Sequence, residues 1–265
     1  TPIQINFFIF FQSCALKTNQ LTHANLYIIN SMELVWFKLF LGCVARNRHN
    51  SKEILTFAEK NKMIDFITFC DYTGTFAFAI SGIRLASAKQ FDWFGAYVVG
   101  LVTAVGGGTI RDILLNATPF WMEQTSYLTV SALALLFVII FRKYVIRLNN
   151  TFFIFDAIGL GLFGVVGIAK TLEFGFPMWV AIVMGTITGS FGGMMRDILI
   201  NEEPLIFRKD IYALACVFGG GVYYLCMLAG LNPSITQFAA ALGIFLARII
   251  AVKYHISVPV LKGEE

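Results

Sequence analysis

The chain has 265 residues, 57% hydrophobic and only 14% charged, with 27 Phe, a mean hydropathy of +0.73 and a formal net charge of +4. A soluble domain carries about 25% charged and about 45–50% apolar residues, and a folded chain of this length still needs a wettable surface. The composition excludes a soluble enzyme, a nucleic-acid-binding protein and a disordered chain, and it points to an all-α integral membrane protein.

The first 62 residues hold seven of the twenty basic residues (Lys17, Lys38, Arg46, Arg48, Lys52, Lys60 and Lys62) and two apolar patches, 7–11 and 26–45. Glu33 and Lys38 interrupt the second patch and are costly at mid-bilayer. The order of a signal peptide is missing, and Met63 stands just before the first strong apolar run. Residues 1–62 are therefore expected to be a poorly ordered extension or a non-native start.

From residue 63 onward seven stretches meet the requirement of about 20 mostly apolar residues for a spanning helix. They lie near 64–86, 93–115, 125–146, 152–171, 177–200, 210–230 and 234–254. The separators carry the breakers, among them Thr118-Pro119, Phe176-Pro177, Glu202-Glu203-Pro204 and Asn232-Pro233. The runs are continuously apolar, not alternating, which excludes a β-barrel. With seven spans, one face receives Arg84, Lys89, Arg142, Lys143, Arg147, Arg196, Arg208, Lys209, Arg248, Lys253 and Lys262, against Arg111 and Lys170 beyond the first span on the other. Basic residues favour the cytoplasm, so the C-terminus is expected there. Trp93, Trp121, Tyr127, Trp179 and Tyr212 fall at span ends, as an interfacial aromatic belt would have them.

A shift of 85 residues aligns 71–119 with 156–204 without a gap, and 18 of the 49 positions are identical. The densest block, Gly107-Gly108-x-x-Arg111-Asp112-Ile113-Leu114-x-Asn116-x-x-Pro119, returns as Gly192-Gly193-x-x-Arg196-Asp197-Ile198-Leu199-x-Asn201-x-x-Pro204. Each copy holds three spans, an odd number, so the second copy is expected to enter the membrane upside down. Such inverted repeats are a feature of proteins that move solutes. The predicted organisation is a first three-helix repeat over 63–150, an inverted second repeat over 151–231, and a seventh helix with its tail over 232–265.

Spans 2 and 5 carry the glycine clusters Gly106-Gly107-Gly108 and Gly192-Gly193. Glycine loosens a helix, and a kink there would free backbone carbonyls, which are ligands for a partly dehydrated monovalent cation. Close helix packing is the alternative reading of the same residues. Arg111-Asp112 and Arg196-Asp197 follow one turn later, where a fixed guanidinium sets a barrier or orients a carboxylate. Neighbours in sequence do not share a helix face, so their partners are expected from other helices. Asp71 and Asp156 lie within spans 1 and 4. An intramembrane carboxylate needs a partner, and Arg111 and Arg196 are the candidates. Gly219-Gly220-Gly221 in span 6 has no counterpart in span 3 and reads as packing.

The five cysteines show no C-x-x-C spacing, and His23, His49 and His255 are scattered; neither a metal site nor a cofactor is expected. No P-loop, dinucleotide fingerprint or nucleophile elbow occurs, so the chain does not read as an enzyme.

Two copies of a Gly-Gly-x-x-Arg-Asp block, each on the second helix of a three-helix unit and followed by a seventh helix, resemble the bacterial branch of the trimeric intracellular cation (TRIC) channel family over about 63–255. The resemblance implies a homotrimer in the bacterial inner membrane, with one pore per subunit. It implies a pore lined by the kinked second and fifth helices and selective for monovalent cations such as potassium. The matching positions are Gly106, Gly107, Gly108, Arg111 and Asp112, then Gly192, Gly193, Arg196 and Asp197; Phe191 departs from the pattern where the first copy has Gly106. Domains of this type are also labelled glycine transporters, so a carrier of a small zwitterion stands as the alternative, with Arg111 or Arg196 on the carboxylate and Asp71 or Asp156 on the amine.

Overall fold

Long apolar runs punctuated by Pro, Asn and Gly leave the backbone one way to satisfy itself in hydrocarbon, which is to close its hydrogen bonds within helices. The computed structural model describes residues 57–142, 151–208 and 211–257, and it is all-helical apart from short connections. Its long helices are α1 (Phe57–Ala88), α2 (Trp93–Leu114), α3 (Ser126–Ile140), α4 (Thr151–Glu173), α5 (Met178–Leu199), α6 (Ala213–Leu228) and α7 (Pro233–Lys253). Phe120–Glu123 adds one helical turn between α2 and α3, and Leu205–Phe207 a 3-10 turn between α5 and α6.

Among the described residues, five stretches are long and apolar enough to cross a membrane: Phe66–Ala88, Trp93–Leu114, Phe152–Glu173, Met178–Leu199 and Pro233–Lys253. The expected third and sixth spans are shorter as helices, at 15 and 16 residues. The third helix starts within a residue of its expected span, whose end runs beyond the described residues, and the sixth is shorter by a few residues at each end. The expectation for residues 1–62 lies outside them up to residue 56, and α1 begins six residues ahead of Met63.

Helix ends explain much of the duplicated motif. Asn116 after α2 and Asn201 after α5 are left-handed, with φ of 57° and 55°. The next amides, Ala117 N–H and Glu202 N–H, donate back to the Asp112 and Asp197 carbonyls at 2.8 Å. This is the Schellman ending, in which Asn tolerates the left-handed position and a proline follows shortly. Gln90 after α1 and Gly175 after α4 make the same ending with φ of 61° and 81°. A β-branched residue is penalised there, so Asn116→Val is expected to lower stability by about 1–2 kcal/mol, while Asn116→Gly stays near neutral. Thermal unfolding in detergent checks both.

Within each repeat the first and second helices pack closely, α1 on α2 and α4 on α5, and across the repeats α1 packs on α4 and α2 on α5. Helix α7 lies against α6 and α4. A Cβ on Gly82 would lie 2.5 Å from Thr103 Oγ1 and 2.9 Å from Gly100 Cα; on Gly167 it would lie 2.6 Å from Thr188 Oγ1 and 2.8 Å from Gly185 Cα. Sequence-equivalent residues thus make equivalent contacts. Gly219 fits under Ile244 and Gly220 under Ile182, so that glycine run serves helix packing.

Candidate functional site

The duplicated glycines lie where α2 meets α5. A Cβ on Gly107 would overlap the Thr188 carbonyl oxygen, and one on Gly192 would overlap the Thr103 carbonyl oxygen. Because Thr103 and Thr188 are themselves equivalent, the crossing is reciprocal. The aromatic layer beside it is reciprocal too: Gly74 sits under Phe163 and Gly159 under Phe78, with the two rings 5.3 Å apart. Both threonine hydroxyls donate to carbonyls of their own helix, Val99 at 2.6 Å and Met184 at 2.7 Å, so neither spends its proton across the crossing.

The expected helix break is corrected here. Helices α2 and α5 run without interruption through 106–108 and 192–193. Small residues let two backbones approach closely, and this close approach is what the glycines provide. Gly106 faces Met195, Gly108 faces the Phe120 ring, and Gly193 faces the Tyr212 hydroxyl.

One turn beyond each crossing lies a buried charged cluster. Arg111 and Arg196 are both 0% exposed. Arg111 Nε donates to Asp112 Oδ1 at 2.8 Å, and Arg196 Nε donates to Asp197 Oδ1 at 2.8 Å. The partners of the two arginines were expected from other helices. Each guanidinium also folds back on its long stem to the next residue, and among the described residues only Arg196 has the expected partners on other helices, Asp156 and Ser81. The second oxygen of each aspartate then accepts from the returning backbone, Phe120 N–H at 2.9 Å and Leu205 N–H at 3.0 Å. The Arg-Asp pair therefore ties the helix end to the chain beyond Pro119 or Pro204.

The intramembrane aspartates behave differently in the two copies. Asp156 accepts from Arg196 Nη1, which also donates to Ser81 Oγ at 2.7 Å. Asp71 accepts from the Tyr127 hydroxyl at 3.4 Å. Tyr127 and Tyr212 occupy equivalent positions and are 4% and 1% exposed. That corrects their reading as belt residues; Trp93 and Trp179 remain exposed, as a belt requires. The sequence signal for the tyrosines was available, since the same 85-residue shift relates them just past the end of the aligned block.

Two further basic residues complete the clusters. Lys170 Nζ lies over the Phe120 ring at 5.6 Å, and the Arg111 guanidinium over the same ring at 5.6 Å. Arg248, counted above with the basic face, is 1% exposed, lies over the Phe153 and Tyr212 rings at 4.9 and 4.8 Å, and donates to the Ile211 carbonyl at 2.9 Å. Each cluster thus has two carboxylates, one motif arginine and one extra cation close by. Such charge balance makes burial tolerable.

At the surface, Lys89 after α1 pairs with Glu202 after α5 at 2.5 Å, and Arg208 approaches Glu202 at 3.8 Å. The hydrogen bond from Lys89 holds the Glu202 carboxyl below the usual carboxylate range. A depressed carboxylate contributes stability above its unfolded pKa and loses it as pH falls through the folded one. Both side chains are 42% exposed, so Glu202→Gln is expected to cost less than about 1 kcal/mol near neutral pH and nothing in acid. Denaturation followed against pH checks the sign.

A family profile described as Glycine transporter matches residues 68–143 and, a second time, residues 153–227. The UPF0126 inner membrane protein YadS of Escherichia coli K12 is 37% identical over 204 residues, covering 75% of this chain and 98% of YadS. A UPF0126 membrane protein of Vibrio cholerae is 38% identical over 191 residues, covering 71% of this chain and 80% of its own length. Among solved structures, the TRIC trimeric intracellular cation channel orthologue from Rhodobacter sphaeroides is 33% identical, with a TM-score of 0.68 over 72% of this chain and 98% of that one. This chain belongs to the bacterial TRIC family. The two profile matches start 85 residues apart, so the TRIC unit is present twice, in the register set by the Gly-Gly-x-x-Arg-Asp blocks. With these relatives and five apolar spans, the chain is an integral membrane protein.

Proposed function

We propose that the chain is a monovalent cation channel, of potassium type, working as a homotrimer with one route in each subunit. The route runs between two three-helix repeats of opposite orientation, 63–150 and 151–231, along α2 and α5, while residues 232–265 supply a seventh helix outside the symmetry. The observation that carries the reading is the reciprocal crossing at Gly107 and Gly192, with a buried, charge-balanced cluster one turn beyond it on each helix.

Two contacts support opposite orientation. The ends of α1 and α5 meet through Lys89 and Glu202, and the ends of α2 and α4 through Phe120 and Lys170. Equivalent helices then run antiparallel, as inverted repeats require. Parting α2 from α5 at the glycines would uncover the Thr103 and Thr188 carbonyls, which suit a partly dehydrated cation. The glycines as pathway residues, and Arg111, Asp112, Arg196, Asp197, Asp71 and Asp156 as its charges, belong to this proposal. A C-terminus in the cytoplasm of a bacterial inner membrane fits the basic face. The solved relative from Rhodobacter sphaeroides is a trimeric intracellular cation channel orthologue, which supports both the trimer and the cation.

The description of the family profile favours a second reading, a carrier of a small zwitterion such as glycine. Proteoliposomes separate the two. Rapid, non-saturating potassium efflux without glycine uptake is expected for the channel, and saturable uptake of labelled glycine without potassium efflux would replace it with the carrier.

A further inference from the structure

Positions 81 and 166 are equivalent in the two repeats and both 0% exposed, yet one is serine and the other valine. Ser81 reaches across the repeats to Arg196. Val166 lies in an apolar cluster with Ile67, Cys70 and Ala169 and has no hydroxyl to offer the first-repeat cluster.

The two clusters accordingly hold the same constellation in two arrangements. In the second, Asp156 is taken by Arg196, and the Tyr212 hydroxyl has no hydrogen-bond partner among the described residues. In the first, Asp71 is taken by Tyr127 through Oδ2, and Asp71 Oδ1 and Arg111 Nη1 are left without such a partner. A carboxylate bound to arginine in one half is bound to tyrosine in the other.

We propose that this Asp–Arg–Tyr constellation is a two-position latch, held closed at the Arg196 end and released at the Arg111 end, and that Ser81 and Val166 decide which end is which. The proposal rests on the reading of a route with one cluster near each end. Charge-assisted bonds to a guanidinium are short and strong, whereas a 3.4 Å hydroxyl contact is weak. Opening the Arg196 end breaks the Asp156 and Ser81 bonds together. Opening the Arg111 end gives up only the Tyr127 contact.

Cysteine accessibility in membranes tests this without any measurement of current. Leu115 and Ile200 are equivalent buried residues at the ends of α2 and α5. In a background lacking the native cysteines, Leu115→Cys is expected to react with a small hydrophilic thiol reagent about tenfold faster than Ile200→Cys, the ratio that one charge-assisted hydrogen bond supports. Val166→Ser should slow the reaction at Leu115→Cys, and Ser81→Val should speed it at Ile200→Cys. Tyr127→Phe should slow the first by freeing Asp71 for Arg111, while Tyr212→Phe leaves the second unchanged. Equal rates at the two cysteines, or rates indifferent to both the Ser81 and the Val166 exchange, overturn the latch. Failure of the channel reading would show as absent potassium efflux and would leave these rates as they are.

Discussion

Replacing Gly107 or Gly192 with alanine is expected to destabilise the folded protein by about 1–3 kcal/mol each, and valine by more, because overpacking forces backbones apart. Each added Cβ lands on a carbonyl oxygen of the opposite helix, Thr188 or Thr103. Backbone cannot swing aside as a side chain can, so α2 and α5 must separate. Gly221 is the internal control, since a Cβ there meets nothing within 4 Å; Gly221→Ala should be neutral or slightly stabilising through helix propensity. Thermal midpoints of the three alanine variants in detergent give the comparison. A Gly107→Ala midpoint matching that of Gly221→Ala would remove the crossing from the account.

The second large effect concerns Arg196. Breaking a buried ion pair from one side leaves an uncompensated charge and costs about 3–5 kcal/mol. Arg196→Met strands both Asp156 and Asp197, and Asp156→Asn takes from the guanidinium one of the two carboxylates it touches. Asp71→Asn should be milder, since each arginine keeps its neighbouring aspartate but Asp71, unlike Asp156, is held by a tyrosine hydroxyl and not by an ion pair. Unfolding free energies in mixed micelles would rank the three. An Asp71→Asn penalty as large as that of Asp156→Asn would mean the two clusters are not bonded differently.

Five of the seven expected span positions were legible because a hydrocarbon solvent leaves so few backbone solutions. The α2 and α5 boundaries fall within a residue or two of the apolar runs that mark them. The duplication was legible as well, because it is written in identical residues. What the glycines do was not: a glycine cluster loosens a helix in isolation and tightens a helix pair in company, and only the facing Thr103 and Thr188 carbonyls decide between these. The pairing of Arg111 with Asp112 escaped a rule based on Cβ directions because the arginine stem is long enough to double back. The burial of Arg248 and Tyr212 against one another depends on how α7 packs near the start of α6, a tertiary fact with no local signature. The contrast between Ser81 and Val166 was visible in the alignment, but its meaning required Arg196 to be seen beside Ser81.

Recording from purified protein in planar bilayers under a potassium gradient addresses the proposed route most directly. The account predicts discrete unitary steps that reverse near the potassium equilibrium potential, and a lower open probability when Val166→Ser gives Arg111 a second latch. A silent bilayer from folded, correctly assembled protein, or steps that reverse at the chloride potential, would contradict a cation route between α2 and α5.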